Sequence, residues 1–398
     1  PSWRLIYCFF VPLNRPRYFR SGNAKFIWHC AYLIRIFVKV KICNPNLYTK
    51  TSMKSILFSL LSCSTLLLSA PFAVSSQNCC ESRCCNGIVS SNPVLPGFHA
   101  DPEILYSQNT GKYYIYSTTD GTPGWGGHYF HVFSSDNLCG WKDEGIMLDL
   151  KGDQVKWASG NAWAPAIIER KEADGYKYYF YFSGHDIDSN RKAIGVAVSD
   201  SPTGPFKDLG HPIVAKSPVG RGQQIDVDVF QDPVSGKYYL YWGNGYMAGA
   251  ELNDDMLSIK EETIAVMTPK GGTLETYAYR EAPYVFYRDG KYYFMWSVDD
   301  TGSPNYHVAY GTSDKPLGQI KVAEPCNILN QLPEHEIYGT AHNSVIQIPG
   351  TDRWLIVYHR INKDYIEREK GPGVHREVCI DEMRFNDDGS IIPVIPTK

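Results

Sequence analysis

Four residues stand at nearly one offset from a recurring landmark, and their types are those of acid–base chemistry. Counting back twelve residues from the aromatic positions 113, 238 and 354 gives Asp101, Asp226 and His342, and counting back eleven from 292 gives Glu281. A fifth landmark at 178 places its counterpart near Trp163–Ala166, so the set reads as three carboxylates, one imidazole and one indole. Singly, none means much: Asp-Pro is a turn dipeptide, and a lone Asp or His at a strand edge is as a rule structural. Together, three carboxylates at matching places repel one another, and packing alone gives no reason to keep them. Separated carboxylates in an aromatic-lined pocket suit acetal hydrolysis. One protonated acid donates to the leaving oxygen while an ionised partner activates water on the opposite face. A third carboxylate can tune the acid's pKa and hold its side chain. Trp125, Trp163, Trp242 and Trp296 offer flat faces to sugar rings, although ordinary packing accounts for at least half of such residues.

The elements that must position these groups are visible as a repeat. A short strand, a Gly-containing turn and a second strand opened by aromatics recur, as in Asp101–Leu105 with Gly111–Ser117 and Glu281–Val285 with Gly290–Trp296. The landmarks at 113, 178, 238, 292 and 354 are separated by 65, 60, 54 and 62 residues. In four repeats a third strand ending in a polar turn follows, at 132–136, 196–200, 250–254 and 310–314. Short strands rich in Tyr, Val and Ile, repeated five times, predict an all-β, five-bladed β-propeller. The first strand of each blade then lines the central channel, so equivalent residues converge on one axial site.

The rest of the chain bounds the setting. Of the 398 residues, the first 76 hold ten Lys or Arg and no Asp or Glu, leaving 322 residues with 29 basic and 42 acidic, a net charge of −13. An acidic body argues against nucleic acid and anionic membrane as partners. Residues 1–52 read as upstream translation rather than native protein. Residues 53–76, with Met53-Lys54 and the apolar run Ile56–Leu68, read as a secretory signal peptide. Next come a Cys-rich tail over 77–91 and the propeller over 92–398. The mature protein is expected to be secreted, free of membrane and monomeric. Seven cysteines follow Ser76, with Cys79, Cys80, Cys84 and Cys85 clustered. No His lies near that cluster, so disulfides in the tail are expected, and the odd count leaves one thiol unpaired.

Several segments resemble glycoside hydrolase family 43: Asn92–Pro102, Trp163-Ala-Pro165, Ile225-Asp226 with Phe230 and Asp232, Arg280–Pro283 and Gly339–Asn343. The resemblance runs from about Asn92 to the C-terminus. It implies an inverting five-bladed propeller enzyme acting on arabinose-, xylose- or galactose-containing plant polysaccharides such as arabinan, xylan and arabinoxylan, with no required cofactor. By the family's pattern Asp101 resembles the general base, Asp226 the pKa modulator and Glu281 the general acid. Trp163 is expected to serve as a sugar platform, and Arg376 resembles a late arginine that contacts substrate. His342 resembles a channel histidine that in some members sits beside a calcium ion. Val227 departs from the pattern, and Asp228 shares a strand face with Asp226, so either can be the modulator; repeat spacing favours Asp226. Attack is expected at chain ends, releasing arabinose or xylose, with endo-arabinanase and exo-β-1,3-galactanase activities as alternatives. An invertase-like fructosidase is disfavoured because no Arg-Asp-Pro occurs. A non-catalytic glycan-binding propeller would repeat its sites between blades, whereas here the ring position varies.

Overall fold

Each aromatic landmark is followed by another large apolar residue, and in a strand two successive side chains must point to opposite faces. The computed structural model describes residues 91–125, 127–366 and 372–398, and in these the consequence of that pairing is plain. Five four-stranded antiparallel sheets follow one another along the chain. Blade 1 consists of His99–Ser107, Lys112–Thr119, Tyr129–Ser135 and Lys142–Asp149, and blade 2 of Trp163–Glu172, Gly175–Asp186, Arg191–Ser199 and Lys207–Asp208. Blade 3 consists of Asp228–Gln231, Tyr238–Trp242, Ala248–Glu251 and Ala265–Val266. Blade 4 is built from Tyr279–Arg288, Lys291–Val298, His307–Ser313 and Lys321–Leu329, and blade 5 from Tyr338–Gln347, Trp354–Ile361, Arg376–Phe385 and Ile391–Ile392. The innermost strand of every blade touches those of its two neighbours, closing a five-membered ring.

The landmark pairs supply the glue between blades. Tyr113 enters the core between blades 5 and 1, and Tyr114 the core between blades 1 and 2. Tyr178 joins blade 2 to blade 1, while Tyr179 joins it to blade 3. The same split holds for Tyr238 and Tyr239, Tyr292 and Tyr293, and Trp354 and Leu355. Five separate apolar cores result, one per interface, and each fully buried side chain of this size stabilises by roughly 1.5–3 kcal/mol. One blade has two apolar faces and no way to bury both, which is why the pattern only works as a ring.

The ring is held shut by side-chain chemistry at the start of the propeller. Asn92 accepts the Ile380 N–H at 2.8 Å and donates to the Ile380 carbonyl at 3.2 Å, and Val94 N–H bonds the Val378 carbonyl at 2.8 Å. The four expected third strands are present, and blade 5 has its own at Arg376–Phe385. Cys139 is disulfide-bonded, whereas Cys326 and the buried Cys379 are free, so two thiols rather than one are unpaired among the described residues. The upstream segment, the signal peptide and the tail cysteines lie outside the described residues. No helix among the described residues is long and apolar enough to cross a membrane.

Candidate active site

At one end of the ring each blade carries a residue in the left-handed region: Asp101 at φ 50°, Ala164 at 44°, Asp226 at 59°, Ala282 at 56° and His342 at 49°. In blades 1, 2, 4 and 5 the innermost strand is bulged there, and the bulge re-aims side chains into the channel mouth. Such backbone is strained for non-glycine residues and persists only when its surroundings hold it. What holds it is a side chain of the preceding blade, five residues beyond that blade's landmark. Thr118 accepts the Ala164 N–H at 2.8 Å, Ser183 that of Asp226 at 3.1 Å and Ser297 that of His342 at 3.0 Å. His359 accepts that of Asp101 at 3.1 Å. In blade 3 the same position is Gly243, which has nothing to offer, and the Asp226 carboxylate takes the Ala282 N–H instead, at 3.2 Å.

This pentad corrects two sequence readings. The counterpart of Asp101 in blade 2 is the methyl-bearing Ala164, and in blade 4 it is Ala282. Trp163 and Glu281 both stand one residue earlier, and the first hairpins of blades 2 and 4 differ in length from the others, so counting back from the landmark slips. Asp101, Trp163, Asp226, Glu281, His342 and Arg376 nevertheless all line one cavity of about 310 Å³, together with Trp125, Asn244 and Thr301.

Asp101 is caged by donors. Its Oδ2 accepts Thr118 Oγ1–H at 2.7 Å, and its Oδ1 lies 2.8 Å from Arg376 Nη1 and 3.1 Å from His342 Nδ1, whereas His359 Nδ1, already the acceptor of the Asp101 N–H, stands 3.2 Å from that oxygen and donates nothing to it. Burial alone would raise its pKa, but the Arg376 guanidinium, with His342 beside it, outweighs burial and holds the carboxyl well below the usual range. Burial keeps both imidazoles neutral, His359 down at about 4. Arg376 is itself gripped by Asp120, with Nε–Oδ2 at 2.8 Å and Nη2–Oδ1 at 2.9 Å, and it donates to Thr301 Oγ1 at 3.0 Å. Arg376, the arginine expected to contact substrate, is 3% exposed and lines the cavity, with its side-chain hydrogen bonds directed at Asp101, Asp120 and Thr301.

Glu281 is in the opposite electrostatic situation. Burial pushes it up to about 7, Tyr306 and Arg280 pull it down, and Asp101 and Asp300 push it up again. Tyr306 Oη donates to its Oε1 at 2.8 Å, and Asn244 Nδ2 donates to its Oε2. Asp226 is raised well above the carboxylate range, first by burial, then by Glu281 and Asp101. Two buried carboxyls that repel in this way share one proton near neutral pH and titrate as a unit.

Asp228 does not line the cavity; it is buried, its Oδ2 takes the Val285 N–H at 2.8 Å, and burial raises it to about 8. It faces Glu103, another buried carboxyl raised first by burial and then by Asp228. Trp163 lines the cavity with its Nε1 on the Trp125 carbonyl at 3.2 Å, whereas Trp242 and Trp296 are wholly buried in blade packing. The residues beside His342 do not fit a calcium ion. Its Nδ1 is directed at Asp101, whose Oδ1 already receives a guanidinium, and among the described residues no three His, Cys, Asp or Glu side chains are grouped to hold a metal. Thr118, Asp120, Asn244, Tyr306 and His359 escaped sequence reasoning. Thr118 and His359 share a signal that was there to find, their fixed offset of five from the landmarks.

The model of the family described as "Glycosyl hydrolases family 43" matches residues 90–391. A β-D-galactofuranosidase (xynD) of Aspergillus niger is 35% identical over 317 residues, covering 77% of this chain and 85% of that protein. A xylosidase/arabinosidase 43A of Humicola insolens is 30% identical over 338 residues, covering 72% of this chain and 94% of the relative. Among solved structures, a thermostable family-43 glycoside hydrolase superposes with a TM-score of 0.66 at 28% identity, over 77% of this chain and 96% of that one.

Proposed function

We propose, from the premise that this chain belongs to glycosyl hydrolases family 43 and hydrolyses O-glycosyl bonds, that it removes terminal arabinofuranosyl or xylosyl units from plant cell-wall polysaccharides with inversion. The observation that carries this reading is the pairing of two carboxyls with opposed electrostatics on non-adjacent blades. Asp101 is held ionised by its cage, and Glu281 is held near neutrality by burial. Asp101 takes a proton from water as the water attacks the anomeric carbon, and Glu281 gives its proton to the departing glycosidic oxygen. The bond to the leaving group breaks as the bond to water forms on the other face, so the configuration inverts.

The shared proton belongs on Glu281 rather than Asp226 for a geometric reason. Asp226 accepts a backbone N–H from Ala282, a donor that cannot reverse, which favours its charged form. Both partners of Glu281 can reverse: the Tyr306 hydroxyl rotates, and the Asn244 amide can turn its oxygen inward. Asp226 thus stays charged beside Glu281 and keeps it protonated. Trp163 and Trp125 supply apolar faces for the C–H surfaces of sugars, and a cavity of about 310 Å³ suits one terminal unit better than a through-bound chain. Action outside the cell is supported by the basic-then-apolar stretch from Met53 to Leu68 and by the disulfide at Cys139.

The relative from Aspergillus niger favours a second reading, in which the released unit is β-D-galactofuranose. Rates on matched aryl α-L-arabinofuranoside, β-D-xyloside and β-D-galactofuranoside, followed by product analysis on arabinan, xylan and arabinoxylan, separate the two. Monosaccharide release from an arabinose- or xylose-bearing polymer is expected. Cleavage of the galactofuranoside alone would replace the first reading with the second, and no cleavage of any would refute both.

A further inference from the structure

Beside the catalytic cavity lies a second cleft of about 290 Å³, and Gln223 belongs to the walls of both. The side chains of His185, Arg191, Lys192 and Arg221 line this second cleft, and no acidic residue does. That is against the trend of a body carrying a net charge of −13. Arg191 and Arg221 are exposed, and neither makes an ion pair or side-chain hydrogen bond among the described residues. The nearest turn holds Asp186 and Asp188. Asp186 spends its oxygens on the Asp188 N–H at 3.1 Å and the Ser189 hydroxyl at 2.5 Å, and neither aspartate lines the cleft.

The cleft is tied to the catalytic centre by rigid contacts. Lys192 places its ammonium 4.6 Å from the centre of the Trp163 ring and donates to Asn161, so it sits at the border between the two cavities. The loop carrying Arg221 is braced by Ser217 Oγ on the Arg221 carbonyl at 2.5 Å. Gln223 and Asn244 exchange backbone hydrogen bonds at 3.1 and 3.0 Å, and a Cβ at Gly222, at φ +75°, would run into the Asn244 carbonyl. Asn244 in turn holds Glu281. Two unpaired guanidinium groups beside a sugar platform, one of them carried on a braced loop, can receive a carboxylate through paired N–H donors.

We propose that this cleft is a subsite for an anionic sugar, a uronate unit carried by the polysaccharide next to the glycosyl unit being released. The proposal rests on the reading of the main cavity as a glycosidase site and adds the class of substrate that site prefers. It is tested with two oligosaccharides that differ only in the uronate: one with the free carboxylate, the other with its methyl ester, which keeps the shape and removes the charge. At low salt the acid should show about 10-fold higher kcat/KM than the ester, and the advantage should shrink as salt rises. The double variant R191Q/R221Q should bring the acid down to the level of the ester while changing the ester less than two-fold. Equal turnover of acid and ester by the native enzyme, or an equal fall of both in the variant, would overturn the subsite. An aryl arabinofuranoside or xyloside run alongside keeps the outcomes apart, because failure there counts against the glycosidase reading itself.

Discussion

Replacing Tyr306 with Phe removes one hydroxyl from the wall around Glu281 and leaves the ring in place. The side chain is wholly buried, its Oη is 2.8 Å from Glu281 Oε1, and its ring stacks on His359 at 5.6 Å between centroids. The hydroxyl donates to the ionised carboxylate and can turn to accept from the protonated acid. A hydrogen bond to a charged group is worth about 1.5–3 kcal/mol and one between neutral groups about 0.5–1.5. The difference, about 1–1.5 kcal/mol in favour of the charged form, corresponds to about one pKa unit. Without the hydroxyl, Glu281 moves from about 7 to roughly 8. A higher acid pKa keeps the proton donor loaded to higher pH. The alkaline limb of kcat/KM on an unactivated oligosaccharide should therefore move up by about one unit. The acidic limb, which belongs to Asp101, should stay where it is, below the ordinary carboxylate range. An alkaline limb that fails to move, or moves down, would refute the assignment of Glu281 as the donor held by Tyr306.

Glu281→Gln should lower turnover of poor leaving groups by about a hundred- to ten-thousand-fold and largely spare activated aryl glycosides, whereas Asp101→Asn should harm both alike; steady-state rates across a leaving-group series separate the two. Gly243→Ala puts a Cβ into the Tyr246 carbonyl at φ +126° and should destabilise by about 1–3 kcal/mol, read by denaturant unfolding. Asn92→Ala opens the clasp on Ile380 and should lose about 1–3 kcal/mol in the same assay, with kcat/KM unchanged when measured well below the transition.

The five blades were legible because each landmark pair has to feed two interblade cores, and that requirement repeats at intervals long enough to stand out from packing noise. Asp101, Asp226 and His342 were legible for the same reason, being the residues at the bulge. Glu281 was found one place out of register, because hairpin length varies and the bulge, not the turn, defines equivalence. The cage around Asp101 was not legible. Arg376 comes from blade 5, Asp120 follows the second strand of blade 1, and only the closed ring brings them within 2.8 Å. Tyr306 stands just before the third strand of blade 4, where sequence offers no marker for a carboxyl partner. The surroundings of His342 were not legible either: its Nδ1 faces Asp101, a carboxylate that Arg376 already neutralises.

Proton NMR of the first-formed sugar distinguishes inversion from retention, because base and acid are divided between two carboxyls and no nucleophile is left on the protein. The enzyme is mixed with an aryl arabinofuranoside or xyloside, and the anomeric signal is followed before mutarotation. Appearance of the anomer opposite to that of the substrate is the predicted result. First appearance of the same anomer would contradict the account and remove Asp101 from its role as base.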